Sequence, residues 1–296
     1  MFNYHEAFSR NIGWVTSDEQ ARLRTCRIAI AGLGGVGGLH LLSLARLGVG
    51  SFNLAEFDRF ELPNFNRQIG ASMSTIGQPK LDVMIKLARD INPELDIRRF
   101  PEGVNADNVR EFLAGADAYV DGFDFFAFEA RRLTFAACAA AGIPAVTAAP
   151  LGMGAALLTF MPGGMTLDEY FRFKEASEAD LPLHFLIGLS PAMLQRRYIV
   201  DPSTVDLAAQ RGPSTVIGCE LCAAMVTAET LKILLKRGAV RAVPWVTHFD
   251  AYRGRLVKTW RPWGNANPVQ RLAIAIARRQ LKTMQRVPNA AESHQP

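Results

Sequence analysis

The 296-residue sequence predicts an α/β fold: a mostly parallel, twisted sheet with helices on both faces, extended by C-terminal antiparallel strands. Three observations predict it. Short β-branched or apolar runs alternate with longer helical patterns up to about residue 150. The first run leads straight into a glycine cluster, Gly32 to Gly38, that opens a helical pattern. Near the C-terminus two short runs, 245–250 and 254–260, are separated by a turn holding Tyr252 and Arg253, which is hairpin spacing.

The runs at 27–31, 51–56, 95–100, 117–121 and 144–148 read as strands, and helical patterns fill 35–47, 75–91, 105–113 and 126–141. A further strand at 154–160 leads into Pro162-Gly163-Gly164 and an irregular insert or crossover, about 164–213, whose stretch Phe185 to Leu194 is apolar. A helix over 219–236 precedes the hairpin. The reading divides the chain into a domain over 1–264 and a basic, amphipathic helical tail over 265–296, loose from Pro288 onward. No internal repeat is present.

Composition bounds the function. With 49% apolar and 21% charged residues the chain is not intrinsically disordered. No window of ~18 uninterrupted apolar residues marks a transmembrane helix, and Met1 to Trp14 has no apolar core of a signal peptide. Four cysteines, Cys26, Cys138, Cys219 and Cys222, make no disulfide framework and fit a reducing, cytoplasmic setting. The formal charge of +5 sits mostly in 265–296, where five Arg and Lys face one Glu. The nearly neutral remainder does not support a nucleic-acid-binding core.

Within the glycine cluster Gly32, Gly34 and Gly37 fit G-x-G-x-x-G between a strand and a helix, with Gly35 beside them. Such a turn lets backbone N–H groups approach a phosphate at a helix N-terminus, and it makes the sheet Rossmann-like. It selects a nucleotide without separating NAD from ATP. Glu56, closing the second strand, suits ribose hydroxyls. Asp58 suits Mg²⁺ or a pairing with Arg67. The segment Asn64, Arg67, Gln68 and then Lys80 favours a triphosphate, because charge growing on a leaving pyrophosphate requires cations that a dehydrogenase site does not. Asp124, just beyond the fourth strand, suits Mg²⁺ or a cation-holding role, with Asp121 as its competitor and helix capping as the plain alternative for both.

The succession Gly32 to Gly37, Glu56-Phe57-Asp58, Asn64…Arg67-Gln68, Gly77-Gln78-Pro79-Lys80, Ile91-Asn92-Pro93 and Asp124 resembles the ThiF/MoeB superfamily, the bacterial relatives of ubiquitin-activating enzymes. The resemblance implies use of Mg-ATP to adenylate a carboxylate with release of pyrophosphate. It implies Glu56 on the ribose, Asn64, Arg67 and Lys80 on the phosphates, and Asp124 on Mg²⁺. Ser9-Arg10 looks like the family's N-terminal pair, which implies a homodimer with Arg10 acting in trans. The substrate class would be a small protein or peptide C-terminus, or a small molecule.

The chain departs from that pattern in three ways. One Cys219-x-x-Cys222 pair cannot close a tetrahedral zinc site, so no zinc is expected and the cysteines read as small core residues. No Cys lies between Cys138 and Cys219, so an enzyme-bound thioester is not expected. Phe125 stands where relatives commonly carry Asn, within a group with Phe123, Phe126 and Phe128 that lines either a substrate pocket or the core. The insert reads as a lid or a dimer contact, and His184 within it as a minor acid–base candidate. The tail helix either docks on its own core or meets an anionic membrane or a partner. Two other functions compete: an NAD-dependent oxidoreductase, and a member resembling tRNA threonylcarbamoyladenosine dehydratase. A non-catalytic scaffold is the third option.

Overall fold

The computed structural model describes residues 1–207 and 209–284. Its helices are α1 (Tyr4–Ala7), α2 (Ser17–Thr25), α3 (Gly37–Arg46), α4 (Lys80–Ile91), α5 (Val109–Leu113), α6 (Phe128–Ala141), α7 (Leu167–Phe171), α8 (Leu181–Leu189), α9 (Val216–Leu235) and α10 (Pro268–Met284). Its strands are β1 (Arg27–Ala31), β2 (Ser51–Ala55), β3 (Asp96–Phe100), β4 (Ala118–Asp121), β5 (Ala145–Leu151), β6 (Gly154–Phe160), β7 (Trp245–Asp250) and β8 (Arg255–Trp260). The loose end expected from Pro288, together with Arg286, lies outside the described residues.

All eight strands form one sheet in the order β3-β2-β1-β4-β5-β6-β7-β8. The first five are mutually parallel, and β6, β7 and β8 add antiparallel. The α/β class, the mostly parallel Rossmann-like sheet and its antiparallel extension are as the sequence predicts.

Alternation along β1 divides the core in two. Ile28 and Ile30 face a layer built from α3, α4 and α9, with Leu41, Met84 and Val226 fully buried. Ala29 and Ala31 face the other layer, which gathers Phe112, Phe135, Tyr170 and Phe185 from α5 to α8. Strand order turns back between β1 and β4, so the loops leaving those two strands meet at a topological switch point, where open sheets of this kind bind ligands.

The tail docks. Ile274 is buried beside Leu183 and Ile187 of α8, Gln270 donates to the Ile187 carbonyl at 3.0 Å, and Arg278 pairs with Asp180 at 3.1 Å. Among the described residues no helix is long and apolar enough to cross a membrane.

Candidate active site

The glycine turn is a close-packed crossing of two chains. Gly32 adopts φ +83°, and a Cβ there would run into the Gly122 carbonyl at the end of β4. A Cβ on Gly37 would overlap the Gly32 carbonyl oxygen. Only hydrogen fits at either position. Glu56 staples this turn from the next strand. Its Oε2 accepts from the Leu33 amide at 2.8 Å, and its Oε1 accepts from the Phe57 and Asp58 amides at 2.9 Å. A carboxylate has about four acceptor positions, so the buried Glu56 keeps about one for a ribose hydroxyl.

Arg67 and Gln68 reach this turn from the β2–α4 connection, and Lys80 is joined to it through Asp58 and Glu56. The side-chain stem of Arg67 lies against Gly35, where a Cβ would sit 3.4 Å from Cγ. Its Nη1 donates to the Pro63 carbonyl and to Asn66 Oδ1 at 3.1 and 2.9 Å. The Gln68 amide lies over Gly34 and is buried, and its Oε1 has no hydrogen-bond partner. Lys80 opens α4 with a side chain only 7% exposed and pairs with Asp58 at 3.1 Å, whose side chain is 53% exposed. The partner of Asp58 is therefore Lys80. The pairing with Arg67 considered from sequence does not form, because the guanidinium is turned back onto its own loop. Asn64 uses its Oδ1 to accept from the Glu61 amide at 3.0 Å, closing the turn that carries Arg67.

At the end of β4 the two aspartates separate. Asp121 is buried and ion-paired to Arg131 Nε at 2.9 Å, and it also accepts from Thr147 Oγ1 at 2.8 Å and the Phe123 amide at 3.2 Å. Arg131 spends its other nitrogens on the carbonyls of Phe123, Asp124 and Phe125. The pair clamps the loop, and with Tyr119 Oη donating at 3.4 Å as a fourth bond, Asp121 has no capacity left for a ligand. Asp124 is exposed on that clamped loop, with Oδ1 accepting from the Phe126 amide at 3.0 Å and Oδ2 free of any protein hydrogen bond among the described residues. Neither aspartate caps α6 at its N-cap, which is Ala127.

His184 is buried with Nδ1 at 3.1 Å from the Phe171 carbonyl, far into the core, so it has no acid–base role. Phe125 and Phe128 pack on Phe185 of α8 with centroids 5.1 and 5.5 Å apart, which makes the aromatic group core and not a pocket lining. The insert is anchored on this core through α8 instead of standing open as a lid. Arg10 does not approach the glycine turn of its own chain. Its neighbour Asn11 reaches the Leu47 carbonyl at the C-terminal end of α3, whose ten residues span about 15 Å from the turn.

Sequence reasoning missed Arg131, whose pairing crosses from helix to strand, and read the burial but not the position of Cys219. The latter packs beneath the turn, its Sγ 3.1 Å from where a Gly35 Cβ would be. Burial raises its thiol pKa, so it is a packing residue and not an activated nucleophile. Asn66 also ties the cation loop to the start of α9 through the Ser214 carbonyl at 2.9 Å.

These residues fit a magnesium-bound nucleotide. Among the described residues no group of three His, Cys, Asp or Glu gathers to cage a metal, but Mg²⁺ on phosphates needs only one or two carboxylates, as Asp124 and Asp58 supply. The orphaned Gln68 oxygen and the glycine turn, into which no side chain fits, form a cradle for a polar ligand.

Fold and site together define a doubly wound α/β domain with a close-packed glycine turn at its switch point. The ThiF family model matches residues 8–271, and the chain belongs to that family. Protein HesA, vegetative, from Trichormus variabilis is 36% identical over 146 residues, 49% of this chain and 54% of that protein. The tRNA threonylcarbamoyladenosine dehydratase of Haemophilus influenzae is 35% identical over 123 residues, 41% of this chain and 47% of its own. The sulfur carrier protein ThiS adenylyltransferase of Escherichia coli is 32% identical over 148 residues, 50% and 58% respectively. The matches thus span about half the length of these curated relatives. Among solved structures, PaaA superposes with a TM-score of 0.65 at 18% identity, covering 86% of this chain and 73% of its own. E. coli MccB with ATP superposes at 0.59 and 19%, covering 81% and 65%. These likenesses show the fold.

Proposed function

We propose that the chain is an ATP-dependent adenylyltransferase that converts a substrate carboxylate to an acyl-adenylate and releases pyrophosphate. The observation that carries this reading is a pair of cations tied to the glycine turn at the sheet's switch point: Arg67, whose stem lies on Gly35, and the buried Lys80, linked to it through Asp58 and Glu56. A carboxylate is already ionised at neutral pH, so its attack on the α-phosphorus requires no protein base. The work left to the protein is alignment and neutralisation of charge on the departing pyrophosphate. Lys80 is held ready for this by Asp58, and Arg67 by its own loop. Magnesium, when bound by Asp124, supplies further charge neutralisation at the phosphates. Glu56 orients the turn and keeps one acceptor for the ribose. Arg10 serves a neighbouring subunit in a homodimer, which agrees with its distance from its own turn. The absence of any Cys from 139 to 218 supports release of the adenylate to an external nucleophile without an enzyme thioester.

Relatives named for ThiS and SAMP activation, and the MccB structure with its MccA peptide, favour a small-protein or peptide C-terminus as substrate. A modified-nucleoside carboxylate is the second reading, favoured by the 35% identity to the dehydratase. ATP–pyrophosphate exchange tests the proposal. Substrate-dependent exchange is expected, and Arg67→Ala or Lys80→Met should lower it at least ~100-fold while leaving the unfolding midpoint unchanged. Full activity in both variants refutes the phosphate assignment. Binding of NAD without exchange would favour an oxidoreductase instead.

A further inference from the structure

The same edge of the sheet carries a second, unassigned polar cluster. Because β6 runs antiparallel and β7 antiparallel again, the β5–β6 turn and the β7–β8 turn both emerge beside the glycine turn's edge. In the first, the Met153 amide donates to Tyr198 Oη at 2.8 Å, and a Cβ on Gly152 would already crowd that hydroxyl. Tyr198, from the insert, donates in turn to Asp250 Oδ2 at 2.8 Å, and Asp250 Oδ1 accepts from the Arg253 amide at 2.9 Å. Asp250 is fully buried and committed to these bonds.

The Arg253 guanidinium forms no hydrogen bond or ion pair among the described residues. Its Nη1 is covered by protein with no acceptor, while the residue as a whole is part-exposed. A half-covered, unpaired guanidinium is costly unless something accepts from it. Arg255, opposite Asp250 at the same end of the hairpin, adds charge of the same sign.

A packed wall joins this cluster to the nucleotide turn. Cys219 abuts Gly35, Gly218 abuts Gly152, Thr215 Oγ1 donates to the Gly152 carbonyl at 2.7 Å, and Gly152 abuts Tyr198. From β1 to β7 is four strand spacings, about 19 Å, which five or six residues of extended peptide would cross.

We infer that Arg253 is a specificity residue for the reaction proposed above, reading a carboxylate side chain on a peptide substrate some five or six residues before the activated C-terminus. This rests on the adenylation reading and narrows its substrate to an acidic-tailed peptide or small protein. A small carboxylic acid would not reach both places.

The test uses the full chain and synthetic ten-residue peptides ending in Gly-Gly. Two Asp, two Ala or two Lys occupy the fifth and sixth positions before the end. In ATP–pyrophosphate exchange the Asp peptide should show a KM roughly tenfold below the Ala peptide at similar kcat, since one charge-assisted bond is at stake. Arg253→Ala should erase that preference and Arg253→Asp should turn it toward the Lys peptide. Indifference of the native chain to the pair, or a preference that survives Arg253→Asp, overturns the assignment. If no peptide supports exchange, the peptide reading of the activity fails, and fluorescence anisotropy of the labelled Asp peptide then decides on Arg253. Salt-sensitive binding lost in Arg253→Ala retains the site, and equal binding or none removes it.

Discussion

The division of labour between Asp121 and Asp124 gives the sharpest prediction. Asp121→Asn removes the charge facing Arg131 in a pair whose side chains are 2% and 3% exposed. Breaking a buried pair from one side leaves the other charge stranded, at a cost of about 3–5 kcal/mol. Asparagine keeps a single acceptor oxygen, so it can accept from Thr147, bound at Oδ2, or from Phe123, bound at Oδ1, but not from both, while Arg131 keeps its three carbonyls; the middle of that range, about 4 kcal/mol, is expected. Arg131→Met should cost a similar amount, because three carbonyls lose their donor, and the double variant should cost less than the two combined. Asp124→Asn, on an exposed side chain with one local bond, should change stability by under ~0.5 kcal/mol yet depress exchange strongly. The assay is guanidinium unfolding at one fixed protein concentration, since an oligomer's stability depends on it, paired with the exchange rate. The reasoning is refuted if Asp121→Asn costs under ~1 kcal/mol, or if Asp124→Asn is the destabilising one and retains exchange.

Three further outcomes are expected. His40 is buried in α3 with neither ring nitrogen partnered, and burial pushes its pKa down to about 3 from 6.5. Below pH 6.5 the unfolded chain takes up a proton that the folded chain refuses, so stability falls by up to about 1.4 kcal/mol per pH unit toward pH 3. His40→Leu should flatten that slope in unfolding measured at pH 6.5, 5.5 and 4.5, and an unchanged slope would assign it to other groups. Gly37→Ala should abolish ATP binding by calorimetry, because the new methyl overlaps the Gly32 carbonyl; normal binding would mean the turn is far looser than described. Mixing Arg10→Ala with Asp124→Ala subunits should restore part of the exchange that each variant lacks alone, and no rescue counts against action in trans.

The strands were legible because each is short, apolar and punctuated: β6 and β7 fall where the sequence puts them, to the residue. Helix starts were less so. The pattern over 75–91 begins as a helix only at Lys80, since Gly77 has φ +77° and Pro79 is extended. Helix α2 escaped a reading based on apolar period because it is polar nearly all round, yet its capping box of Thr16 and Glu19 was in plain view. In the site, the residue types around the turn were readable but their partners were not. Asp58 has Arg67 nine positions away and Lys80 twenty-two, and only the return of the chain into α4 decides between them. Arg131 is not singled out by the sequence, because nothing local reveals that its helix face meets the end of β4.

What separates structural from functional carboxylates in this site is how much of their acceptor capacity the protein has already used. Glu56 has three amides on its two oxygens and Asp121 has a guanidinium, two hydroxyls and an amide. Both are buried, and both hold backbone that must not move while phosphates are bound. Asp58 and Asp124 stand one turn further out, each with a single side-chain or local partner and with solvent on the other side. Burying an uncommitted carboxylate is too costly for a fold to tolerate, so unspent acceptors collect at the mouth, where a cation or a metal completes them on binding. The same accounting in donors singles out Arg253, whose covered Nη1 finds no acceptor among the described residues.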